Sequence, residues 1–166
     1  MIRALRPTDI VAYLAFRRNV PGSEALLDAH GASIAPNLRG FFRQSLAIEP
    51  RRETWAQIER GQIVGLVSAK ARFGADIWDV DQLTIAPVAD FEQVAFRLLD
   101  HLCREAVEDG VEKVFLRLHA DSLGLVAARQ AGFLQYATER IYRRMTTPAT
   151  RAPSKVPYLR ARRPAD

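Results

Sequence analysis

Leu83-Thr84-Ile85-Ala86-Pro87 runs through Val88, Ala89 and Asp90 into Phe91-Glu92-Gln93-Val94-Ala95-Phe96-Arg97-Leu98-Leu99. The period of the apolar residues changes inside this stretch, and that change decides the fold. Up to Ala86 the segment reads as a strand. From Phe91 onward, Phe91, Val94, Ala95, Leu98, Leu99, Leu102, Cys103 and Ala106 recur every three or four residues. That spacing predicts one buried face of a helix of about four or five turns. Asp109-Gly110 ends the helix, and Val114, Leu116 and Leu118 then alternate as a strand. Strand, long helix and strand in this order favour a parallel pair joined by a right-handed crossover. A short helix from Leu123 to Gln130 stops at Gly132, a natural residue for a helix C-terminus, and Leu134 to Met145 reads as a last long strand.

Upstream, residues 2–6 alternate as a short strand, and Pro7-Thr8-Asp9 opens a helix with Thr8 or Asp9 as N-cap. Ser23 to His30 reads as a helix ended by Gly31, and Ala35 to Leu46 as another, with Phe41 and Phe42 on one side. Three strands come next. Glu53–Glu59 and Ile63–Arg72 are joined by Arg60-Gly61, a hairpin signal, and Phe73-Gly74-Ala75 turns into Ile77–Ala86. Short turns between consecutive strands imply an antiparallel meander.

At 166 residues the chain is expected to form one domain, here residues 1–147, with a core that needs no covalent staples. Hydrophobic content of 48% and charged content of 26% are those of an ordinary globular protein. A single cysteine, Cys103, leaves no partner for an internal disulfide. It lies on the helix's apolar stripe, as a small hydrophobe would. There is no signal-peptide core, and no apolar run approaches the roughly 18 residues of a membrane span. A cytoplasmic protein without a membrane partner is the expectation. The net charge of +5 belongs mostly to residues 148–166, a basic, proline-rich tail with Arg151, Lys155, Arg160, Arg162 and Arg163 against Asp166. Such a tail is expected to be a solvated terminus rather than a nucleic-acid arm. His30, His101 and His119 have no partner at metal-ligand spacing, so no metal is expected.

The order of elements over residues 2–145 resembles the GCN5-related N-acetyltransferase (GNAT) fold: strand, two helices, three antiparallel strands, helix, strand, helix, strand. The residues that carry the likeness are Leu83 to Pro87, Leu98-Leu99 and Ala131-Gly132-Phe133. The resemblance implies an α+β protein, an α/β/α sandwich whose mixed, mostly antiparallel sheet has about six or seven strands and a splayed fourth and fifth pair. It implies acetyl-CoA as cosubstrate and a small-molecule or peptide amine as acceptor. Cofactor contacts would then fall on Leu83, Thr84 and Ile85, along the pantetheine, and on backbone N–H groups from Gln93 through Val94, Ala95, Phe96 and Arg97, at the pyrophosphate. Asp121 stands where the family often has Asn. Asp79 stands six residues before Ile85, where the family commonly has a Glu that accepts the amine's proton. Asp81 shares its strand face, and solvated strand carboxylates would give the same pattern. His119 is a substitute base.

The chain departs from the family's pattern in its anion loop. That pattern is Arg or Gln, two residues, Gly, one residue, then Gly or Ala. Here Asp90 takes the first position, Gln93 the first glycine, and only Ala95 conforms. Ala128 stands where a tyrosine would protonate the departing thiolate. Two functional readings are compatible with these residues: direct acyl transfer to an amine, and a non-catalytic module that senses acyl-CoA or binds a protein. The last strand offers an edge for a homodimer.

Overall fold

The computed structural model describes residues 1–20, 24, 52–72, 76–87 and 89–140. The two helices read between Ser23 and Leu46 (Glu24 apart) and the tail from Pro148 lie outside the described residues. The elements are β1 (Ile2–Ala4), a 3-10 turn (Pro7–Asp9), α1 (Ile10–Asn19), β2 (Arg52–Glu59), β3 (Gln62–Ala71), β4 (Ile77–Ile85), α2 (Phe91–Glu108), β5 (Lys113–Leu116) and α3 (Gly124–Gln130). They form an α+β fold around one mixed sheet with strands in the order β1-β2-β3-β4-β5. The neighbours from β1 to β4 are antiparallel, and β4 and β5 are parallel. The expected meander and the parallel crossover pair are both present.

The strand count is lower than the resemblance implied. Five strands are present among the described residues, and residues 134–140 form none. That segment meets β5 and the residue just past it through side chains, with no ladder of its own. The Phe115 and Tyr136 rings lie 6.3 Å apart, and Arg117 Nε is 3.9 Å from Glu139 Oε2. Leu134 and Tyr136 are left exposed. The rest of the expected strand, residues 141–145, lies outside the described residues.

Helix α2 covers one face of the sheet. Val94, Ala95, Leu98, Leu99, Leu102 and Ala106 are buried against Trp55, Val67, Ala69, Trp78, Val80, Leu83 and Ile85. Removing this much apolar surface from water is the main stabilising term. Gly65 on β3 allows the close approach, since a Cβ there would stand 2.7 Å from Val94 Cγ1 and 2.8 Å from Leu98 Cδ1. The first turn of α2 is thereby seated over the start of β3 and the end of β4. Helix α1 covers part of the opposite face, with Tyr13 and Phe16 packed on Ala56, Ile63, Leu66 and Ala86. Helix α2 ends as the sequence suggests: the Val111 N–H donates to the Ala106 carbonyl at 2.8 Å, and the Gly110 N–H to the Val107 carbonyl at 3.1 Å.

One irregularity in β4 determines where the sheet opens. Ser68 pairs with Gln82 and Ala69 with Val80, so Asp81 is an extra residue in β4. A bulge of this kind shifts the alternation by one residue and bends the strand. Trp78 and Val80 face α2 before it, and Leu83 and Ile85 face α2 after it. The parallel pairing with β5 ends at Val80 opposite Leu116. Past the bulge, β4 parts from β5.

Candidate functional site

The opening between β4 and β5 is lined by the edge of β4. The Ala86 N–H donates to the Val64 carbonyl at 2.8 Å. By strand alternation the peptide groups of Thr84 also face β3, and those of Leu83 and Ile85 face the opening. Of the three residues expected along a pantetheine, Leu83 and Ile85 turn their backbone toward the opening, and Leu83 is already engaged there. Thr84 is committed to the β3 ladder and its side chain is fully buried. The Leu83 carbonyl accepts a 2.8 Å bond from the Glu24 N–H. The Glu24 carboxylate in turn accepts one from Ser122 Oγ, also at 2.8 Å. Glu24 thus spans the opening from the β4 edge to the start of α3.

At the mouth of the opening stands the N-terminus of α2. Asp90 is its N-cap, and its carboxylate accepts the Gln93 N–H at 3.2 Å. The Val94 N–H donates to the Asp90 carbonyl at 2.9 Å, the first bond of the helical ladder. The N–H groups of Val94, Ala95, Phe96 and Arg97 therefore lie inside the helix and do not point outward. This corrects the expectation that they face an anion: α2 begins at Phe91, where its apolar period starts, so these four N–H groups already belong to the helical ladder. The outward donors are those of the first turn. Among the described residues, the Phe91 and Glu92 N–H groups have no acceptor, while that of Gln93 is taken by Asp90. The Glu92 carboxylate points elsewhere and accepts from Gln130 Nε2 on α3 at 2.8 Å. The side chains of Val94 and Ala95 belong to the core, and Arg97 is exposed on the second turn. Asp121 is exposed in the turn before α3.

The two strand carboxylates have different surroundings. Asp79 is half-buried, lies on the stretch of β4 still paired with β5, and is ion-paired with Arg72, whose guanidinium sits 5.9 Å over the Phe115 ring. Asp81, readable from sequence as a solvated strand residue, is only 5% exposed. Its Oδ1 accepts from Ser68 Oγ at 2.5 Å, and its Oδ2 lies 2.8 Å from Arg52 Nη2. Arg52 Nη2 also reaches Ser68 Oγ at 3.3 Å. Arg52, Ser68 and Asp81 sit side by side on β2, β3 and β4, on the sheet face away from α2. A buried carboxylate needs such partners to stay ionised. Together they pin the bulge that opens the sheet.

The remaining chemistry-bearing residues fall outside this constellation. Cys103 is half-buried on α2, and burial, with a smaller effect from the nearby Asp100, pushes its thiol above the ordinary value. That reduces the thiolate fraction and with it nucleophilicity. His101 lies edge-on to Trp55, with ring centroids 6.1 Å apart. His119 is exposed beyond β5. Among the described residues no three metal-ligating side chains converge, and no helix is long and apolar enough to cross a membrane.

Sequence reasoning misses Glu24, Ser122, Arg52 and Ser68. The bulge does leave a signal, because Asp81-Gln82 places two polar residues in succession between two alternating runs. Nothing in the residues around Glu24 distinguishes it from other helix-compatible acids.

No family model matches the chain, and no curated protein matches it. Solved structures do. The chain is similar to the aminoglycoside N-acetyltransferase AAC(6')-Iy in complex with CoA, at a TM-score of 0.64 and 12% identity over 88% of this chain and 100% of that one. It is similar to an aminoglycoside antibiotic 6'-N-acetyltransferase from Acinetobacter haemolyticus, at a TM-score of 0.62 and 13% identity over 89% and 99% of the two chains. An acetyltransferase from Trypanosoma brucei gives a TM-score of 0.60 and 20% identity over 88% and 99%. At such identities the likeness speaks for the fold. The chain has the fold of the GCN5-related N-acetyltransferases.

Proposed function

We propose that this protein passes an acyl group from acetyl-CoA, or another acyl-CoA, directly to an amine of a small molecule or peptide. The observation that carries this reading is the parting of β4 from β5 past the Asp81 bulge, which turns the Ile85 peptide groups, next to the Leu83 carbonyl that Glu24 holds, toward the opening. An extended amide-bearing arm can pair with such an edge as an added strand does. The Phe91 and Glu92 N–H groups, at the positive end of α2, suit the anionic end of the same ligand. Arg97 can add its charge from the second turn, and Asp121 borders the far side. One structural neighbour holds CoA, which agrees with this assignment.

When bound, the thioester would supply an activated acyl carbon. The chain's own contribution would be chiefly to hold that carbon beside the amine, which can account for much of a rate enhancement. Asp79 is the proposed proton acceptor, directly or through a water, once Arg72 yields its carboxylate. Ala128 has no proton to give the leaving sulfur.

The second reading, a non-catalytic acyl-CoA sensor or interaction module, is favoured by one feature: the Asp90 carboxylate already fills the Gln93 donor. Calorimetric titration of acetyl-CoA and of free CoA separates the readings at the level of binding. Micromolar binding that weakens in Glu92→Pro, which removes a first-turn N–H at a position where helices tolerate proline, supports the cofactor site. No binding at millimolar ligand by folded protein sinks the acyltransferase proposal.

A further inference from the structure

The carboxylates around the opening are mostly spoken for. Asp79 holds Arg72, Asp81 holds Arg52 and Ser68, Asp90 caps Gln93, and Glu92 holds Gln130. Glu24 differs. One of its oxygens, Oε2, accepts from Ser122 Oγ, and no described group donates to Oε1. Its position is fixed at both ends. Its own N–H is bonded to the Leu83 carbonyl, and Ser122 is held in the turn by the Gly124 N–H, which donates to Ser122 Oγ at 3.0 Å. Half-buried Glu24 is therefore tied by its backbone to the β4 edge, and its carboxylate, with one oxygen that has no donor among the described residues, is held beside Ser122 where the opening meets the start of α3. Asp121, exposed next to Ser122, adds negative charge to that side.

We propose that Glu24 is a specificity-determining residue that receives the ammonium group of the acceptor, and that the acceptor is therefore an aliphatic amine, protonated at neutral pH. This rests on the acyl-transfer reading above. Glu24 Oε1 would accept a charge-assisted hydrogen bond from the ammonium, which is stronger than a bond between neutral groups. The bond would set the nitrogen in the opening between the Leu83 edge and Ser122, on the side where the acyl carbon is expected. Ser122 acts through Glu24: its hydroxyl occupies Oε2 and so aims Oε1 into the opening. No proton or bond need change hands at Glu24 for this role. The transferable proton leaves for Asp79 or water, and recognition stays with Glu24.

Full-length protein, acetyl-CoA and two amines of similar shape test this. Benzylamine is charged at pH 7.5 and aniline is neutral. Histamine, a lysine peptide and kanamycin extend the cationic panel. Glu24→Gln keeps the shape and removes the charge. It is expected to lower kcat/KM for the best cationic amine by about tenfold, mainly through KM, and to leave the aniline rate and acetyl-CoA affinity within about twofold. Glu24→Asp should recover part of the loss, and Ser122→Ala should reproduce part of it. Equal losses with both amines, or none with either, overturn the role of Glu24 while acyl transfer stands. Acetyl-CoA binding without transfer to any cationic amine overturns the proposal from the acceptor side. Absence of acetyl-CoA binding removes the acyltransferase reading on which it rests.

Discussion

Asp90 serves two demands that conflict. As an N-cap it fills the Gln93 donor and complements the positive end of α2, which typically stabilises a helix by about 1 kcal/mol. As a fixed negative charge beside the open Phe91 and Glu92 donors, it opposes any anion that approaches them. Asn in its place keeps the cap and drops the charge. Asp90→Asn is therefore expected to tighten acetyl-CoA binding by roughly three- to tenfold while Tm moves by no more than about 2 °C. An unchanged dissociation constant would mean that the pyrophosphate does not lie at this helix end. A second carboxylate gives a pH signature. The Arg3 guanidinium grips Asp9 through two bonds of 2.7 Å, and this hydrogen bonding holds the Asp9 carboxyl below its ordinary value against the opposing effect of burial. Since the folded-state value is lowered, the stabilisation is complete above the unfolded value near about pH 4 and fades as pH falls through the folded one. In Asp9→Asn, thermal melts below about pH 4 should lose less stability relative to neutral pH than wild type does. Parallel curves for the two proteins would show that the pair contributes no acid sensitivity.

Each element is legible in the sequence to the degree that it carries its own period. The eight apolar residues from Phe91 to Ala106 fix α2 whatever surrounds them, and the Arg60-Gly61 turn, with both residues at positive φ, fixes the β2–β3 hairpin. The opening in the sheet is expected from the resemblance, and its local cause leaves only the Asp81-Gln82 break in alternation, because a bulge is a matter of register between two strands. The start of α2 at Phe91 is legible from its apolar period, whereas which of its N–H groups stay open is not, because that depends on the Asp90 cap. Glu24 has no signal at all, since its importance comes from contacts with Leu83 and Ser122, and Ser122 is 98 residues away. Gly65 shows how closely two elements must fit. Alanine there would force its Cβ against Val94 Cγ1 and Leu98 Cδ1, and the valine methyl cannot swing aside as the leucine end can. Gly65→Ala should cost about 1–3 kcal/mol by moving the first turns of α2 off the sheet. The same movement carries the Phe91 and Glu92 donors away from the β4 edge, so acetyl-CoA affinity should fall with stability. Chemical denaturation and titration of the one variant check both, and lost stability with intact affinity would separate the helix start from the ligand.

At the scale of the whole molecule, charge is distributed against the expected ligand. Residues 151–166 hold five basic residues and one acidic residue of a chain with net charge +5, so the rest of the chain is close to neutral. Acetyl-CoA is a polyanion, and the α2 end of the opening presents Asp90 and Glu92. Any long-range attraction must then come from the tail. Exposed charges act over about 8–10 Å at physiological salt and farther when salt is low, so the tail can raise the local concentration of an anion without touching it. Two expectations separate steering from contact. The full chain should bind acetyl-CoA more weakly as salt is raised from about 20 to about 300 mM, whereas the chain ended after Thr147 should show little salt dependence. Near physiological salt the two should agree within about twofold, because the β4 edge and the α2 donors are the same in both. If truncation lowers affinity equally at every salt concentration, the tail supplies a direct contact and belongs to the site. If the truncated chain retains the full salt dependence, the attraction comes from the body, with Arg97 on the second turn of α2 as the first candidate.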